Sequence, residues 1–136
     1  MKILLIASLF CFSIGCQNPA ANPLLAGPVY PMELHTPESL SIQVVRSNEY
    51  IDIINSTATT FSDSTLWINQ RYSAQIPSLH AGKTIRVNLW TLRDSYGEQF
   101  NAGGFWRTGT PSLLILAEIQ AEAGSPLIGL IVVGED

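Results

Sequence analysis

Strict alternation of apolar and polar residues is the feature that most restricts how this chain can fold. Leu40, Ile42 and Val44 alternate with Ser41 and Gln43. Successive side chains of a β-strand point to opposite faces, so a strand with one buried face produces this pattern. A helix would instead place apolar residues at every third or fourth position, and no twelve-residue stretch shows a convincing stripe of that kind. The chain is therefore predicted to be built from strands.

Five further stretches extend this prediction. Ser47-Asn48 offers a turn into a return strand, and the strands that follow are expected at residues 50–54, 65–72, 84–90, 113–119 and 127–133. The last two are apolar on both faces, as strands in the middle of a covered sheet are. About six to seven strands within residues 38–136 predict one domain, a single antiparallel β-sandwich.

The first fifteen residues have the layout of a secretory signal. Lys2 precedes an apolar run over residues 3–14, and the small Gly15 stands before Cys16. The run is shorter than the ~20 residues that span a bilayer. Ser13-Ile14-Gly15-Cys16 resembles the processing site of bacterial lipoprotein precursors. The resemblance implies that residues 1–15 are removed and that Cys16 carries the lipid.

The lipoprotein resemblance also implies a location. It implies export and attachment to the membrane through Cys16, and Gln17 after the cysteine favours the periplasmic side of the outer membrane. The alternative is an ordinary secretory signal cleaved at the same bond, which leaves Cys16 as a free thiol. Cys11 lies in the removed segment, so the mature chain has no second cysteine for a disulfide, and this favours lipidation.

Residues 16–37 are predicted to be a disordered tether. Five prolines fall within this stretch, and Glu33 is its one charged residue. Proline fixes φ and removes a backbone donor, which favours an extended chain without regular structure. Two apolar pairs, Leu24-Leu25 and Val29-Tyr30, are exceptions that could lie against the folded domain or the membrane surface.

Two short motifs in the domain resemble immunoglobulin-like domains of exported bacterial proteins. The first is Ile54-Asn55-Ser56-Thr57, where a strand ends in a turn. The second is Leu79-His80-Ala81-Gly82-Lys83-Thr84, a Leu-x-x-Gly loop between sheets. The resemblance implies an immunoglobulin-like sandwich and no particular chemistry, because such folds host unrelated functions.

Residue types that carry chemistry are scarce. The two histidines, His35 and His80, fall in the tether and in a loop, so no Ser-His-Asp relay is predicted. Ligand spacing for a metal is not found, and neither a metal nor another cofactor is expected. With six basic residues against eleven acidic ones after the leader, nucleic acid is not an expected partner. Asp94 and Glu98 are the carboxylates that a hydrolase would use.

The parity of two strands predicts an outward aromatic face. If Leu66 and Ile68 point inward, Trp67 points outward, and by the same argument Trp90 lies opposite Val87 and Leu89. Tryptophan beside arginine on an outer face is typical of a patch that binds a protein or a sugar. The candidate partner-binding face comprises Trp67, Arg71, Arg86, Trp90 and Trp106. Alternatively, an outer tryptophan covers a neighbouring strand, packs under the tether's Leu24-Leu25 pair, or is turned inward by a bulge.

The function predicted from these patterns is a lipid-anchored envelope protein that binds a protein or glycan partner without covalent chemistry. Two alternatives stay open. A hydrolase would need a pocket in which the carboxylates near Asp94 and Glu98 reach one bond. A structural spacer would show an evenly polar exterior with no aromatic patch.

Overall fold

The computed structural model describes residues 21–107 and 109–134, and the predicted leader and Cys16 lie outside them. Within these residues the only helices are single 3-10 turns, at Pro23–Leu25, Met32–Leu34 and Leu89–Thr91. The strands are β1 (His35–Ser47), β2 (Tyr50–Asn55), β3 (Thr65–Ile68), β4 (Tyr72–Gln75), β5 (Thr84–Asn88), β6 (Ala117–Gln120) and β7 (Leu127–Val133). The prediction of an all-β domain with six to seven strands is confirmed.

All seven strands belong to one sheet, in the order β4-β3-β6-β7-β1-β2-β5. The sheet curls into a half-barrel. Strands β6 and β7 occupy its third and fourth positions. The predicted apolar character on both faces holds for β7 but not for β6, which carries Glu118 and Gln120 on the face opposite Ala117 and Ile119. On the outer face of β7, Ile131 and Val133 are 47% and 41% exposed.

The prediction of a purely antiparallel sheet is wrong at one ladder. Strands β1 and β7 pair in parallel, with Val44 opposite Val132 and Val45 opposite Val133. Alternation shows which face of a strand is buried, but it carries no information about which strand lies alongside or in which direction. In the structure β7 has β6 on one side, and β1 lies on its other side.

Tight turns set the register of two of the three hairpins. Asn48, in the turn between β1 and β2, has a φ of 54°, and Asn69 and Gln70, between β3 and β4, have φ of 53° and 55°. Two consecutive residues at positive φ are typical of the hairpin turn whose twist matches that of the strands, and asparagine tolerates this conformation better than most residues.

The core is one apolar cluster on the concave face of the sheet. Leu66, Ile68 and Ile119 come from one half of the sheet, and Val44 and Ile53 come from the other. All five are at most 1% exposed. The inward parity predicted for Leu66, Ile68, Val87 and Leu89 is therefore confirmed.

The strand predicted over residues 113–119 is shorter in the structure, because β6 begins at Ala117. Before that point the chain is held by a side chain rather than by a strand. The Asn69 carboxamide oxygen accepts hydrogen bonds from the backbone amides of Ile115 and Leu116, at 2.9 and 3.1 Å. The apolar pattern predicts strand pairing for residues 113–116, but hydrogen bonds to the Asn69 side chain hold the chain there instead. Leu113 and Ile115 are exposed as a result.

The segment before β1 crosses the outer, convex face of the sheet. We call residues 22–34 the strap. The backbone amide of Asn22 donates to Gly97, and that of Gly27 donates to Asp94 at 2.8 Å. A Cβ on Gly27 would lie 2.9 Å from the Ser73 hydroxyl oxygen, so glycine permits this close approach. The strap occupies most of the predicted tether, and β1 begins three residues before the predicted domain boundary at residue 38.

Candidate partner-binding surface

The five residues predicted to form a binding face are not brought together. Trp67 lies on β3 and Arg86 lies on β5, which is the edge strand of the opposite half of the sheet. Arg71 is in the turn between β3 and β4, and Trp90 is in the 3-10 turn after β5. Trp106 is on a loop before β6. Outward side chains on two strands lie close together only if the strands are neighbours, and β3 and β5 are separated by four strands.

Trp67 does not lie on an open surface. It faces away from Leu66 and Ile68, as its parity requires, but it is only 1% exposed because the strap covers it. The Tyr30 ring packs edge-on against the indole, with ring centroids 5.3 Å apart. The predicted tether covers this residue through Tyr30, and the Leu24-Leu25 pair that was expected to do so is exposed.

A buried carboxyl group sits beside this tryptophan. Glu118 on β6 pairs across the ladder with Trp67 and is 1% exposed. Its two oxygens are bound by strap and β1 side chains: the Tyr30 hydroxyl donates at 2.8 Å, and His35 Nδ1 lies at 2.6 Å. Burial and the adjacent Glu118 raise the pKa of the Tyr30 phenol, so it remains a hydrogen-bond donor. The group is a polar clamp that holds the strap.

The clamp was not predicted from the sequence, where His35 was placed in the tether. The signal available was Glu118 itself, a charged residue within an otherwise apolar stretch predicted to be covered on both faces. A carboxyl group is rarely buried without partners. A partner was therefore required, although the sequence did not indicate that it would come from residues 30–35.

The carboxylates of Asp94 and Glu98 form an ion-pair cluster with Arg71. The Arg71 guanidinium donates to Asp94 Oδ2 at 3.0 and 2.8 Å and also to Glu98. The other Asp94 oxygen accepts from the backbone amides of Tyr96 and Glu98. Burial opposes ionisation of Asp94, but these donors outweigh it and hold its pKa below the ordinary value. Asp94 is therefore an ionised structural group of a tight turn.

Arg86 is likewise paired with an acidic residue. Its guanidinium makes two 2.8 Å hydrogen bonds to the carboxylate of Asp52, the cross-strand partner on β2. These bonds lower the pKa of Asp52. Both side chains are on the outer face of the sheet, where such an exposed pair contributes little to stability.

Two of the predicted residues lie on adjoining elements. Trp106 is followed in the chain by Arg107, whose guanidinium carbon lies 4.4 Å from the centroid of the Trp90 ring. Trp90 itself is half-buried against the core. The cation–π contact links the loop that carries Trp106 to the end of β5.

An exposed aromatic pair stands at the tip of this loop. Phe105 and Trp106 are each 89% exposed, and their rings pack edge-on at a centroid distance of 4.8 Å. The backbone amide of Arg107 donates to Gly104, which closes a turn with the two aromatics at its tip. Gly103 and Gly104 have φ of 79° and 122°, a backbone conformation that favours glycine and bends the chain just before the two aromatics.

The loop that carries the aromatic pair is fastened at its base. Arg46 donates to the carbonyl oxygens of Ser112 and Ala102, at 2.6 and 3.1 Å, and so clamps both arms of the loop. The Glu49 carboxylate lies where a side chain on residue 104 would be, 1.7 Å from an ideal Cβ. Any residue other than glycine at that position would displace it.

A groove of about 810 Å³ opens beside the aromatic pair. Its apolar lining comes from Tyr50, Phe105 and Leu113, and its polar lining includes Asn48 and Glu49. A concave surface with aromatic walls and a few hydrogen-bonding groups is typical of ligand sites. We call Phe105, Trp106 and this groove the aromatic site.

Among residues 21–107 and 109–134, no cluster of three or more histidine, cysteine or acidic side chains could hold a metal ion. Nor does the same part of the chain contain a helix long and apolar enough to cross a membrane.

Comparison with protein families, with curated proteins and with solved structures finds no match to this chain.

Proposed function

We propose that this protein is a lipid-anchored cell-envelope protein that binds a protein or glycan partner without catalysing a reaction. The anchor is the lipid on Cys16, and the binding surface is the aromatic site. The exposed Phe105–Trp106 pair is the observation that carries the binding part of the proposal. Large exposed aromatics on a fastened loop mark interaction surfaces, because water solvates them poorly and ordering them costs little entropy.

The two alternative functions are less well supported. A hydrolase would need carboxylates free to act on a substrate, whereas Asp94 and Glu98 are both engaged with Arg71. A spacer would present an evenly polar exterior, and the aromatic pair departs from that.

We also propose that the domain is an immunoglobulin-like sandwich. The pairing order supports this, because the first, second and fifth strands form one half of the sheet, and the third, fourth, sixth and seventh form the other. This is the partition of strands A, B and E against C, C′, F and G in that family. The apolar side chains of both halves share a single core. In such a sandwich, the β1–β7 ladder would join the layer of β1, β2 and β5 to the facing layer of β3, β4, β6 and β7.

The anchor is tested by replacing Cys16 with Ala. We expect the variant to lose incorporation of a fatty-acid analogue and to be released from membranes or left unprocessed, because the thiol is the attachment point for lipid. Membrane fractionation and label incorporation are the measurements. The lipoprotein interpretation is wrong if the unaltered protein takes up no label and the variant still stays with the membranes.

The aromatic site is tested by crosslinking in intact cells. A photo-reactive residue at position 106 should capture a partner, whereas the same residue at Tyr96, an exposed aromatic on a different loop, should not. Once the partner is identified, Trp106→Ala should weaken its affinity by ~2 kcal/mol, about thirty-fold, as for a hot-spot residue. The free energy of unfolding of the Trp106→Ala variant should differ from that of the unaltered protein by less than about 1 kcal/mol. Equal capture from both positions would contradict the assignment.

A further inference from the structure

The strap carries apolar side chains that point away from the sheet. Leu24 is 93% exposed, Val29 is 76% exposed, and Met32 and Leu25 are 60% and 51% exposed. Four large apolar residues thus lie uncovered within a segment of thirteen. An ordinary surface segment exposes mainly polar side chains. An exposed apolar patch such as these four side chains form is typical of an interaction surface.

These side chains cannot turn inward while the strap is bound. The amides of Asn22 and Gly27 donate to the 94–97 turn. Near its other end the Tyr30 ring lies on Trp67 and its hydroxyl donates to Glu118. The inner side of the strap is occupied by these contacts, which fixes the apolar side chains on the outer side.

Sequence length places this surface close to the proposed lipid. Only residues 17–20 separate Cys16 from Ala21, the first residue that the structure describes. Five Cα–Cα steps reach at most ~18 Å when fully extended. A strap joined to the lipid by so short a connection lies beside the membrane surface.

We propose that the apolar outer side of the strap lies on the membrane that holds Cys16, in the headgroup region, so that the domain is docked on the bilayer. The proposal rests on the lipid anchor of the proposed function. It assigns the strap a different partner from that of the aromatic site, namely phospholipid.

Charge supports an apolar contact rather than an electrostatic one. Glu33 is the one charged side chain of the strap, which has no lysine or arginine to attract anionic lipid. Docking should therefore be insensitive to salt and to the fraction of anionic lipid. Replacing Leu24 and Leu25 by Ser should weaken it, since each leucine withdraws apolar area from water on insertion.

The test uses the full chain, processed and acylated in cells, purified in detergent and reconstituted in vesicles of mixed zwitterionic and anionic phospholipid. A nitroxide is attached at Leu24→Cys, and in a matched control at Ser56→Cys, which is exposed in the turn after β2. Collision rates with oxygen, which concentrates in lipid, and with a water-soluble nickel chelate report the depth of each label. Fatty-acid incorporation is measured on the same preparations.

We expect the ratio of oxygen to nickel collisions to be at least several-fold higher at position 24 than at position 56, and to stay so in high salt. Acylated protein with equal ratios at the two positions would overturn the docking and leave the anchor intact. A label at position 24 that is shielded from both reagents and is broadened by a neighbouring label would mean that a second copy covers the strap, which also overturns it. Failure of acylation would refute the anchor and this placement together.

Discussion

Replacing Trp67 by Ala should lower the free energy of unfolding by about 3–5 kcal/mol, the cost of truncating a large buried aromatic. The indole is 1% exposed, and its removal would leave a cavity between β3 and the strap. Since domains of this size are stable by ~5–15 kcal/mol, the loss is a large fraction of the total. Denaturant unfolding followed by circular dichroism is the measurement.

The matched control for Trp67 is Trp106→Ala. That side chain is 89% exposed, and its truncation should change the unfolding free energy by less than about 1 kcal/mol. A cycle with Tyr30→Ala isolates the contribution of the strap, for which we expect a coupling of ~0.5–1.5 kcal/mol between the two rings. Equal stability losses for the two tryptophan variants would contradict the burial of Trp67 beneath the strap.

Replacing Val44 by Asp should unfold the domain or lower its stability by more than about 4 kcal/mol. Val44 is fully buried on β1, between β7 and β2, and an unpaired carboxylate there has no donor and no water. The neighbouring Gln43 is exposed on the opposite face, so Gln43→Asp introduces the same residue one position away. The control should cost about 1 kcal/mol, the range of strand preference.

Thermal and denaturant melts of the two Asp variants measure this difference. Similar losses at positions 43 and 44 would show that the outer face of β1 is as tightly packed as the core. A stable Val44→Asp variant would be incompatible with the core as described.

Sequence patterning located most strands because local chemistry determines them. The alternation around Val44 identifies the buried face of β1, and the bounds of β7 match the predicted 127–133. Both predictions depend only on the period and composition of the side chains within one strand, and these can be read from the local sequence.

The residues of the candidate face are dispersed in the structure because their positions depend on which strands pair and on which segment covers the sheet. Neither can be read from the local sequence. Trp67 has the outward parity that was predicted, but the sequence does not indicate that residues 22–34 fold back over it. Proline content favoured a free tether, whereas the contacts of Tyr30 with Trp67 and Glu118 hold the segment down. The aromatic site was predicted only at Trp106, since the groove depends on Arg46 closing a loop 56 to 66 residues further along the chain.

The parallel ladder between β1 and β7 has a consequence for the order in which the molecule can assemble. Within the part of the chain described here, it is the one strand pairing that joins the half containing β2 and β5 to the half containing β3, β4 and β6. Synthesis proceeds from the N-terminus, so β1 emerges early and waits with an unpaired edge until β7 arrives. Such high contact order slows folding and prolongs exposure of that edge. Protection of the nascent edge of β1 would therefore raise the yield of folded protein.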